Sequence, residues 1–491
     1  MNQPNQQVKK GLLLFVLLLG SFLSVLNQTI LNVALPDLMK QFEVSTTTVQ
    51  WLSTGFMLVN GILIPVTAFL MKRFTTRQLF ISSMVLLLMG TFINAIAPSF
   101  AFLLTGRLIQ AAGAGIIMPL LMMVVLVVFP EEGRGTAMGF LGLVMIFAPA
   151  IGPTLAGVII DHFSWRWIFI GMFPLVAIVI ALSIKYLVNV SETSKPKLDI
   201  ISIILSTAGF GGMLYGFSSA GSDEWGSPVV LSCLISGVIF IILFSRRQLT
   251  SVDPMLDLRV FKERMFTMTA IINILLTVVM YADLILLPIY LQSSRGYTVL
   301  DTGLLLLPGA LLNALMSPVS GRLFDKFGAK PLALIGLVFV ILAIWGVTDL
   351  SETTSFTYLM IRTIILRIGL TLLTMPITAA GLNALPKHLN AHGSAVTNTV
   401  RQVAGAIGTA LVVTIMTTST NNHAATLIQS GDVMSKSELM KVSSIHGTSD
   451  AYLFTEILAI VAFFVTIFMP NRKAVSNITE GPNYNSAPEG R

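Results

Sequence analysis

The segment PVTAFLMKRFTTRQL at residues 65–79 recurs without a gap as PVSGRLFDKFGAKPL at residues 318–332, an offset of 253 residues. A second pair agrees, because AIGPTLAGVI from Ala150 matches AIGTALVVTI from Ala406 at an offset of 256 residues. The matches include Pro, Gly and basic positions at a nearly constant offset, which chance similarity between leucine-rich segments rarely produces. The sequence therefore predicts two like-oriented halves related by an internal repeat.

The composition predicts that lipid surrounds most of this chain. Of 491 residues, 11% are charged and 54% are hydrophobic, so too few charged side chains are present to cover the apolar surface in water. This excludes a soluble enzyme, a DNA-binding protein and a disordered chain. Cys233 is the only cysteine, so no internal disulfide is expected. The five histidines include one HxxxH pair, His388 and His392, but no HExxH motif, and no metal site is expected.

Fourteen apolar segments are long enough to cross about 30 Å of hydrocarbon. Backbone polar groups in lipid must be hydrogen-bonded within the segment, so each segment is predicted to be a helix. The predicted fold class is therefore an all-α integral membrane protein with 14 transmembrane helices, at residues 11–35, 50–71, 79–97, 102–124, 136–160, 167–187, 200–218, 229–245, 266–291, 302–321, 331–348, 357–380, 394–418 and 451–470.

Basic residues orient these helices. With both termini inside the cell, 21 of the 30 Lys and Arg residues fall in cytoplasmic segments, five fall in outer loops and four lie within helices. Cytoplasmic loops of membrane proteins carry an excess of Lys and Arg. The distribution therefore predicts that both termini are cytoplasmic, and the net charge of +7 requires no nucleic-acid partner.

The repeat and the helix count together predict the domain organisation. Residues 11–187 form an N-terminal six-helix bundle, and residues 266–470 form a C-terminal six-helix bundle. Residues 188–265 are a linker with two extra transmembrane helices. Residues 471–491 are rich in Asn, Pro and Ser and are predicted to form a disordered cytoplasmic tail.

Three motifs resemble those of a known family. GRLFDKFGAK at residues 321–330 resembles the inner-loop signature of the major facilitator superfamily, and LNQTILNVALP (26–36) and NTVRQVAGAIGTAL (398–411) resemble signatures of its 14-helix drug:H+ antiporters. Asn27 stands where that family has aspartate, and Lys72 stands at the acidic position of the equivalent first-half loop. The resemblance implies the major facilitator fold of two six-helix bundles plus two extra central helices. It also implies a cytoplasmic gating loop that contains Gly321, Arg322, Asp325, Lys326, Gly328 and Lys330.

Two further motifs bear on mechanism. LLTGRLIQAAGAG at residues 103–115 resembles a family motif whose arginine, here Arg107, is implicated in proton transfer. An arginine this deep in a span is costly unless it faces a wet cavity or a partner. APAIGPTLAG at residues 148–157 resembles the antiporter motif, which favours export over import, through Pro149, Gly152, Pro153 and Gly157. A purely structural role of these residues in helix packing is the alternative.

The proton-coupling candidates are Asp283, Arg107 and Glu456. Asp283 and Glu456 are the two acids inside the predicted helices away from the helix ends, and an isolated carboxylate in a low-dielectric cavity can load and release a proton near neutral pH. For Asp283 the alternative is a local contact or a pair with Arg362 or Arg367. For Glu456, in a last helix that is expected to be peripheral, the alternative is an interfacial carboxylate.

The substrate prediction is less specific. Asn27, Gln110, Met118 and Tyr281 are the candidates for the substrate cavity, within a set of Met and aromatic side chains that could form a plastic apolar pocket. Plain packing or lipid contact is the alternative for such side chains. A scarcity of acids argues against a transporter specialised for dications.

These features predict a secondary active exporter, not an enzyme. The expected activity is proton-coupled antiport of drugs or toxic hydrophobic compounds by a monomer in the bacterial cell membrane. No phosphate-binding loop occurs, so no cofactor is expected and a proton gradient is the expected energy source. The alternatives are export of an endogenous metabolite or a lipid-like or peptide-like compound, an integral-membrane enzyme, and a channel.

Overall fold

The computed structural model describes residues 4–190, 193, 199–220, 225–430 and 435–470, which hold fifteen α-helices and no strand. The predicted tail at 471–491 lies outside the described residues. The helices are α1 (Pro4–Ile30), α2 (Leu35–Phe42), α3 (Thr46–Arg73), α4 (Thr76–Ala95), α5 (Phe100–Val128), α6 (Glu131–His162), α7 (Arg166–Tyr186), α8 (Ile200–Ala220), α9 (Pro228–Thr250), α10 (Arg264–Ile289), α11 (Val299–Phe327), α12 (Ala329–Trp345), α13 (Phe356–Asn383), α14 (Asn390–Gln429) and α15 (Lys436–Ile467).

Apart from the short α2, each long helix coincides with one of the fourteen predicted segments. Eleven of them are long and apolar enough to cross a membrane, and α3 makes twelve if its two parts, bent by 52° at Pro65, count as one span. The apolar parts of α6 and α12, Gly133–Pro149 and Ala329–Trp345, are shorter. The all-helical membrane fold is confirmed, whereas a count of fourteen crossings stays a prediction.

Polar residues set where several helices begin. Thr75 and Thr298 each accept a hydrogen bond from the backbone N–H three residues later, and the side chains of Gln78 and Asp301 accept from the cap residues in return. These reciprocal capping boxes satisfy N–H groups that a helix start leaves unpaired. They place the starts of α4 and α11.

The helices form two sets that pack in the same way. In the first set α1 packs on α6, α4 on α5, α3 on α5, and α4 on α7. In the second set the matching contacts are α10 on α14, α12 on α13, α11 on α13, and α12 on α15. The packing therefore repeats along with the sequence.

The two sets meet along paired helices, and the extra helices lie beside them. α6 runs along α11, and α3 runs along α14. α8 packs on α9, α3 and α14, while the side chains of Ile235, Ile239 and Ile242 on α9 are half or more exposed. The extra pair is thus central in the chain but peripheral in the bundle, with α9 presenting an apolar surface suited to lipid.

Candidate functional site

Asp283 on α10 lies in a buried charged cluster. Its Oδ1 accepts a hydrogen bond from Arg362 Nη1 at 2.5 Å, and its Oδ2 accepts one from Arg367 Nη2 at 2.9 Å. Both arginines come from α13. The Tyr452 hydroxyl on α15 donates to Asp283 Oδ1 at 3.4 Å, and its ring lies 4.9 Å from the Arg362 guanidinium. Asp283 is 1% exposed, so these protein groups replace its water shell.

This cluster differs from the isolated carboxylate that the sequence predicts. The alternative pairing with Arg362 or Arg367 occurs, and it occurs with both at once. Two guanidinium groups against one carboxylate leave the cluster with one excess positive charge. The contacts of Asp283 with both arginines therefore depend on the charge of its carboxylate.

Arg107 on α5 is also fully buried, but its partners are neutral. Its Nη1 donates to the backbone carbonyl of Asn27 at 3.0 Å and to Gln110 Oε1 at 3.1 Å, and its Nε donates to the carbonyl of Leu52 at 3.3 Å. The guanidinium stands 4.5 Å from the Phe56 ring centroid, a cation–π contact. Arg107 thus connects α1, α3 and α5 without an acid among the described residues.

The repeat places these two clusters at matching positions. Asp283 follows Asn27 by 256 residues, and Arg362 follows Arg107 by 255 residues. In the second half the arginine meets a carboxylate, whereas in the first half it meets the Asn27 backbone. Both polar atoms of the Asn27 amide are buried without a hydrogen-bond partner. The replacement of acid by amide leaves the Arg107 charge uncompensated.

The four residues predicted to line the substrate cavity differ in the exposure of their side chains. Gln110 is fully buried and donates to Thr91 Oγ1 at 2.9 Å, so its side chain lies between α4 and α5. Asn27 is fully buried as well. Neither presents surface to a cavity in this conformation. Met118 and Tyr281 are partly exposed, and the assignment of all four to a substrate cavity stays a prediction.

Glu456 lies one turn after Tyr452 on α15. Its side chain is partly exposed, and it has no hydrogen bond or ion pair among the described residues. It is separate from the Asp283 cluster, in agreement with the alternative of an interfacial carboxylate. Its role in coupling stays a prediction.

Asp325 of the predicted gating loop joins the two sets of helices. Its carboxylate accepts hydrogen bonds from the backbone N–H groups of Gly135 at 2.8 Å and Thr136 at 2.9 Å, and from the Thr136 hydroxyl at 2.7 Å. These donors lie in the second turn of α6, close to the helix N-terminus, whose dipole favours an anion. Hydrogen bonds to the Asp325 carboxylate near the end of α11 therefore join α11 to the start of α6.

The remaining loop residues have different surroundings. Gly328 has a positive φ of 82° and separates α11 from α12, which explains a glycine at this position of the motif. Arg322 and Lys326 are exposed, and Lys330 is partly exposed. In the first half, Lys72 stands at the position of Asp325 and pairs instead with Asp253 at 3.3 Å. The two loops of the repeat thus make different contacts.

A run of glycines on α6 allows α11 to approach closely. A Cβ on Gly135 would lie 2.5 Å from the carbonyl oxygen of Gly321, and a Cβ on Gly139 would lie 2.6 Å from that of Ser317. Neither distance is sterically possible. Sequence reasoning missed this contact, although the G-x-x-x-G spacing of residues 135–139 is a known signal of close helix packing.

A matched pair of substitutions tests this glycine contact. Gly139→Ala places a methyl group against the backbone of Ser317 and Pro318, so we expect a loss of about 1–3 kcal/mol from overpacking and at least a fivefold loss of transport. Gly133→Ala makes the same change on the same helix where no atom lies within 4 Å, and it should match the wild type. Thermal unfolding and vesicle transport measure both effects, and equal behaviour of the two variants would contradict the contact.

We call the face of the bundle that carries the α3–α4 and α11–α12 connections the predicted cytoplasmic face. The contact of Asp325 with α6 closes this face on one side, and a contact of α14 with α5 closes it on the other. There the Ser394 hydroxyl on α14 donates to the Pro119 carbonyl at 2.8 Å, and Asn398 Nδ2 lies 3.2 Å from Met122 Sδ on α5. The two sets are therefore in contact across this face both between α6 and α11 and between α5 and α14.

The antiporter-motif residues lie on α6. A Cβ on Gly152 would approach Thr29 Oγ1 on α1 to 2.7 Å, whereas Gly157 has no atom within 4 Å of such a position. Pro149 is partly exposed, and the side chain of Pro153 lies outside the described part of the structure. Only Gly152 of this motif is therefore shown to permit a close helix contact.

A groove of about 640 Å³ lies at the opposite face, between α14 and α15. It is lined by Thr414, Ile415, Thr418, Ser419, Asn422, His423, Thr426, His446 and Asp450. The imidazole rings of His423 and His446 are stacked 4.1 Å apart. No residue predicted for coupling or substrate binding lines this groove.

Comparison with known proteins identifies the family. The sequence profile of the Major Facilitator Superfamily matches residues 17–409. The chain belongs to the Major Facilitator Superfamily. Members similar to it include the lincomycin resistance protein LmrB of Bacillus subtilis (strain 168), 44% identical over 96% of this chain and 98% of LmrB. The multidrug export protein EmrB of Haemophilus influenzae is 30% identical over 82% of this chain and 79% of EmrB.

A solved structure of the Major Facilitator Superfamily has the same fold. The proton:xylose symporter XylE superposes with a TM-score of 0.65 over 96% of this chain and 98% of XylE, at 13% identity. The resemblance to the drug antiporters of this superfamily is confirmed by the relatives. The chain is therefore a multi-pass membrane transporter, and it is not an enzyme.

Proposed function

We propose that this transporter exports drugs or toxic hydrophobic compounds from a bacterial cell in exchange for protons. Support for drug export comes from the similarity to LmrB over nearly the full length of both chains and to EmrB. The antiporter-like motif on α6 agrees with this direction of transport. A proton gradient would then be the energy source, with no cofactor and with the monomer as the working unit.

The observation that carries proton coupling is the buried Asp283. It contacts two arginines of α13 and one tyrosine of α15, so a proton on its carboxylate changes the contacts of three helices at once. A proton that neutralises Asp283 weakens its hydrogen bonds and ion pairs with Arg362 and Arg367. Loading and release of the proton would in this way shift how α10, α13 and α15 pack.

Alternating access also requires that the closed face opens. The contacts of Asp325 with α6 and of Ser394 with α5 close the predicted cytoplasmic face. With both termini in the cytoplasm, this conformation would release substrate outward, and the cytoplasmic opening would need both contacts to break. The paired helices α6–α11 and α3–α14 are the surfaces that would separate.

Transport into everted membrane vesicles tests this function. We expect lincomycin, or another drug of a panel that includes ethidium and a neutral antibiotic, to accumulate in energised vesicles that carry the protein. Accumulation should fall to the level of vesicles without the protein when nigericin and valinomycin collapse the gradient.

Other outcomes would contradict the proposal in different ways. Uptake that persists without a gradient would indicate a channel or a facilitator. Absence of drug uptake, combined with loss of an excreted metabolite from the medium of a deletion strain, would indicate the export of an endogenous compound.

A further inference from the structure

Four arginines lie inside the predicted transmembrane segments: Arg107, Arg362, Arg367 and Arg401. Asp283 pairs with two of them, and backbone carbonyls and Gln110 accept from Arg107. Arg401 on α14 is different. No described residue accepts a hydrogen bond from its guanidinium, and its Nη1 is buried without a partner. Arg401 is therefore a charge for which the described protein supplies no acceptor.

The register of α14 shows where Arg401 points. Ser394, Asn398 and Arg401 are spaced i, i+4 and i+7, so they lie on one face of the helix. The first two contact Pro119 and Met122 on α5. Arg401 lies three residues, about 4.5 Å, beyond Asn398 toward the opposite membrane face. On this face of α14, Arg401 is the next residue after Ser394 and Asn398, which contact α5. It faces the space between the two sets of helices.

An aromatic side chain accompanies this charge. Tyr281 on α10 lies near enough to Arg401 for an electrostatic interaction, and both residues are partly exposed. A Cβ on Gly405, one turn after Arg401, would lie 3.0 Å from the Tyr281 ring. The glycine thus leaves room for the ring beside α14. A guanidinium of α14 and a phenol ring of α10 therefore lie close to each other.

A guanidinium at membrane depth is costly unless it is paired or hydrated. Its planar donors match the two oxygens of a carboxylate, and an adjacent aromatic ring can pack on an apolar group. We propose that Arg401 and Tyr281 form a binding site for organic anions with an aromatic or other flat apolar part. The inference rests on the proposed export function in one respect, since it names organic anions of this kind as the preferred substrates of that export.

Binding to the purified full-length protein tests this site without a proton gradient. The probes are 2-naphthoate, 2-naphthamide and 2-naphthylmethylammonium, which share one ring system and carry charges of −1, 0 and +1. Isothermal titration of the protein in detergent should show 2-naphthoate binding at least tenfold more tightly than the cation.

The Arg401→Gln variant should lose at least tenfold in affinity for 2-naphthoate, and 2-naphthamide should bind as it does to the wild type. Arg401→Lys keeps the charge without the planar fork, so we expect an intermediate affinity. Arg246→Gln removes one positive charge from the exposed end of α9 and serves as the matched control. Because no described residue accepts a hydrogen bond from Arg401, Arg401→Gln should fold, and its 2-naphthamide affinity verifies this.

Two results would overturn the proposed site. One is a wild type that prefers the cation or does not distinguish the three probes. The other is an Arg401→Gln variant that binds 2-naphthoate as tightly as the wild type. Both results are independent of vesicle transport, so a failure of drug:proton antiport and a failure of this anion site can be told apart.

Discussion

The Asp283→Asn variant is expected to lose proton-coupled transport completely and to unfold at a lower temperature. Asparagine cannot exchange a proton, and it leaves the guanidinium groups of Arg362 and Arg367 buried without a counter-ion. Removal of one partner from a buried ion pair costs about 3–5 kcal/mol. Drug-induced proton release from proteoliposomes measures the coupling, and thermal unfolding in detergent measures the stability.

A double variant separates these two effects. Asp283→Asn raises the net charge of the cluster from +1 to +2, and addition of Arg362→Gln returns it to +1. This leaves Arg367, the more exposed of the two arginines, as the remaining charge. We expect the double variant to recover most of the lost stability but none of the proton release. Unchanged proton release in Asp283→Asn would exclude Asp283 as the coupling residue.

The second large effect is expected at the contact between α11 and α6. Asp325→Asn replaces a charged acceptor of two backbone N–H groups with an amide, and hydrogen bonds to charged groups contribute about 1.5–3 kcal/mol. This is enough for about a tenfold shift toward a conformation that is open at the predicted cytoplasmic face. Transport should fall by about tenfold, because the closed state is one of the two states that alternating access requires.

Cysteine accessibility measures this opening. In a Cys233→Ser background, Ser317→Cys places a thiol at the buried contact with Gly139, where a membrane-impermeant maleimide in everted vesicles reaches it only when the face opens. Asp325→Asn should raise the labelling rate several-fold.

Lys72→Gln is the matched control for Asp325→Asn, since Lys72 stands at the corresponding position of the repeat. Its ion pair with Asp253 is partly exposed on both sides, and such pairs contribute about 0–1 kcal/mol. Lys72→Gln should therefore change the labelling rate and transport less than twofold. Equal labelling in Asp325→Asn and the wild type would show that this acid does not hold the face closed.

Much of the fold was predictable because lipid constrains the sequence strongly. All fourteen predicted segments are helices, since a segment that crosses lipid must satisfy its own backbone. Helix ends were predicted less well. α14 continues to Gln429 and α15 begins at Lys436, whereas the predicted segments end at residue 418 and begin again at residue 451. These parts are polar helical extensions, for which hydropathy carries no signal.

The sequence identified the charged residues of the candidate site but not their contacts. A charge inside a span is costly, and this cost singles out Arg107, Asp283, Arg362, Arg367 and Arg401. Their partners depend on the rotation and depth of each helix, which side-chain type does not determine. Pairing of Asp283 with both arginines, and the carbonyl partners of Arg107, are therefore results of the tertiary structure.

The sequence alone determined that this chain is a helical membrane protein with an internal repeat. Hydropathy, the repeat at an offset of 253 residues and the motifs are all visible in the order of the residues. Only the tertiary structure decided how the charges are shared. Two arginines of α13 share one carboxylate, the Asp325 carboxylate binds the start of α6 in the other set of helices, and Arg401 has no acceptor among the described residues. The physical reason is that electrostatic energy in a low-dielectric interior depends on distances of a few ångströms between helices, and those distances exist only once the helices have packed.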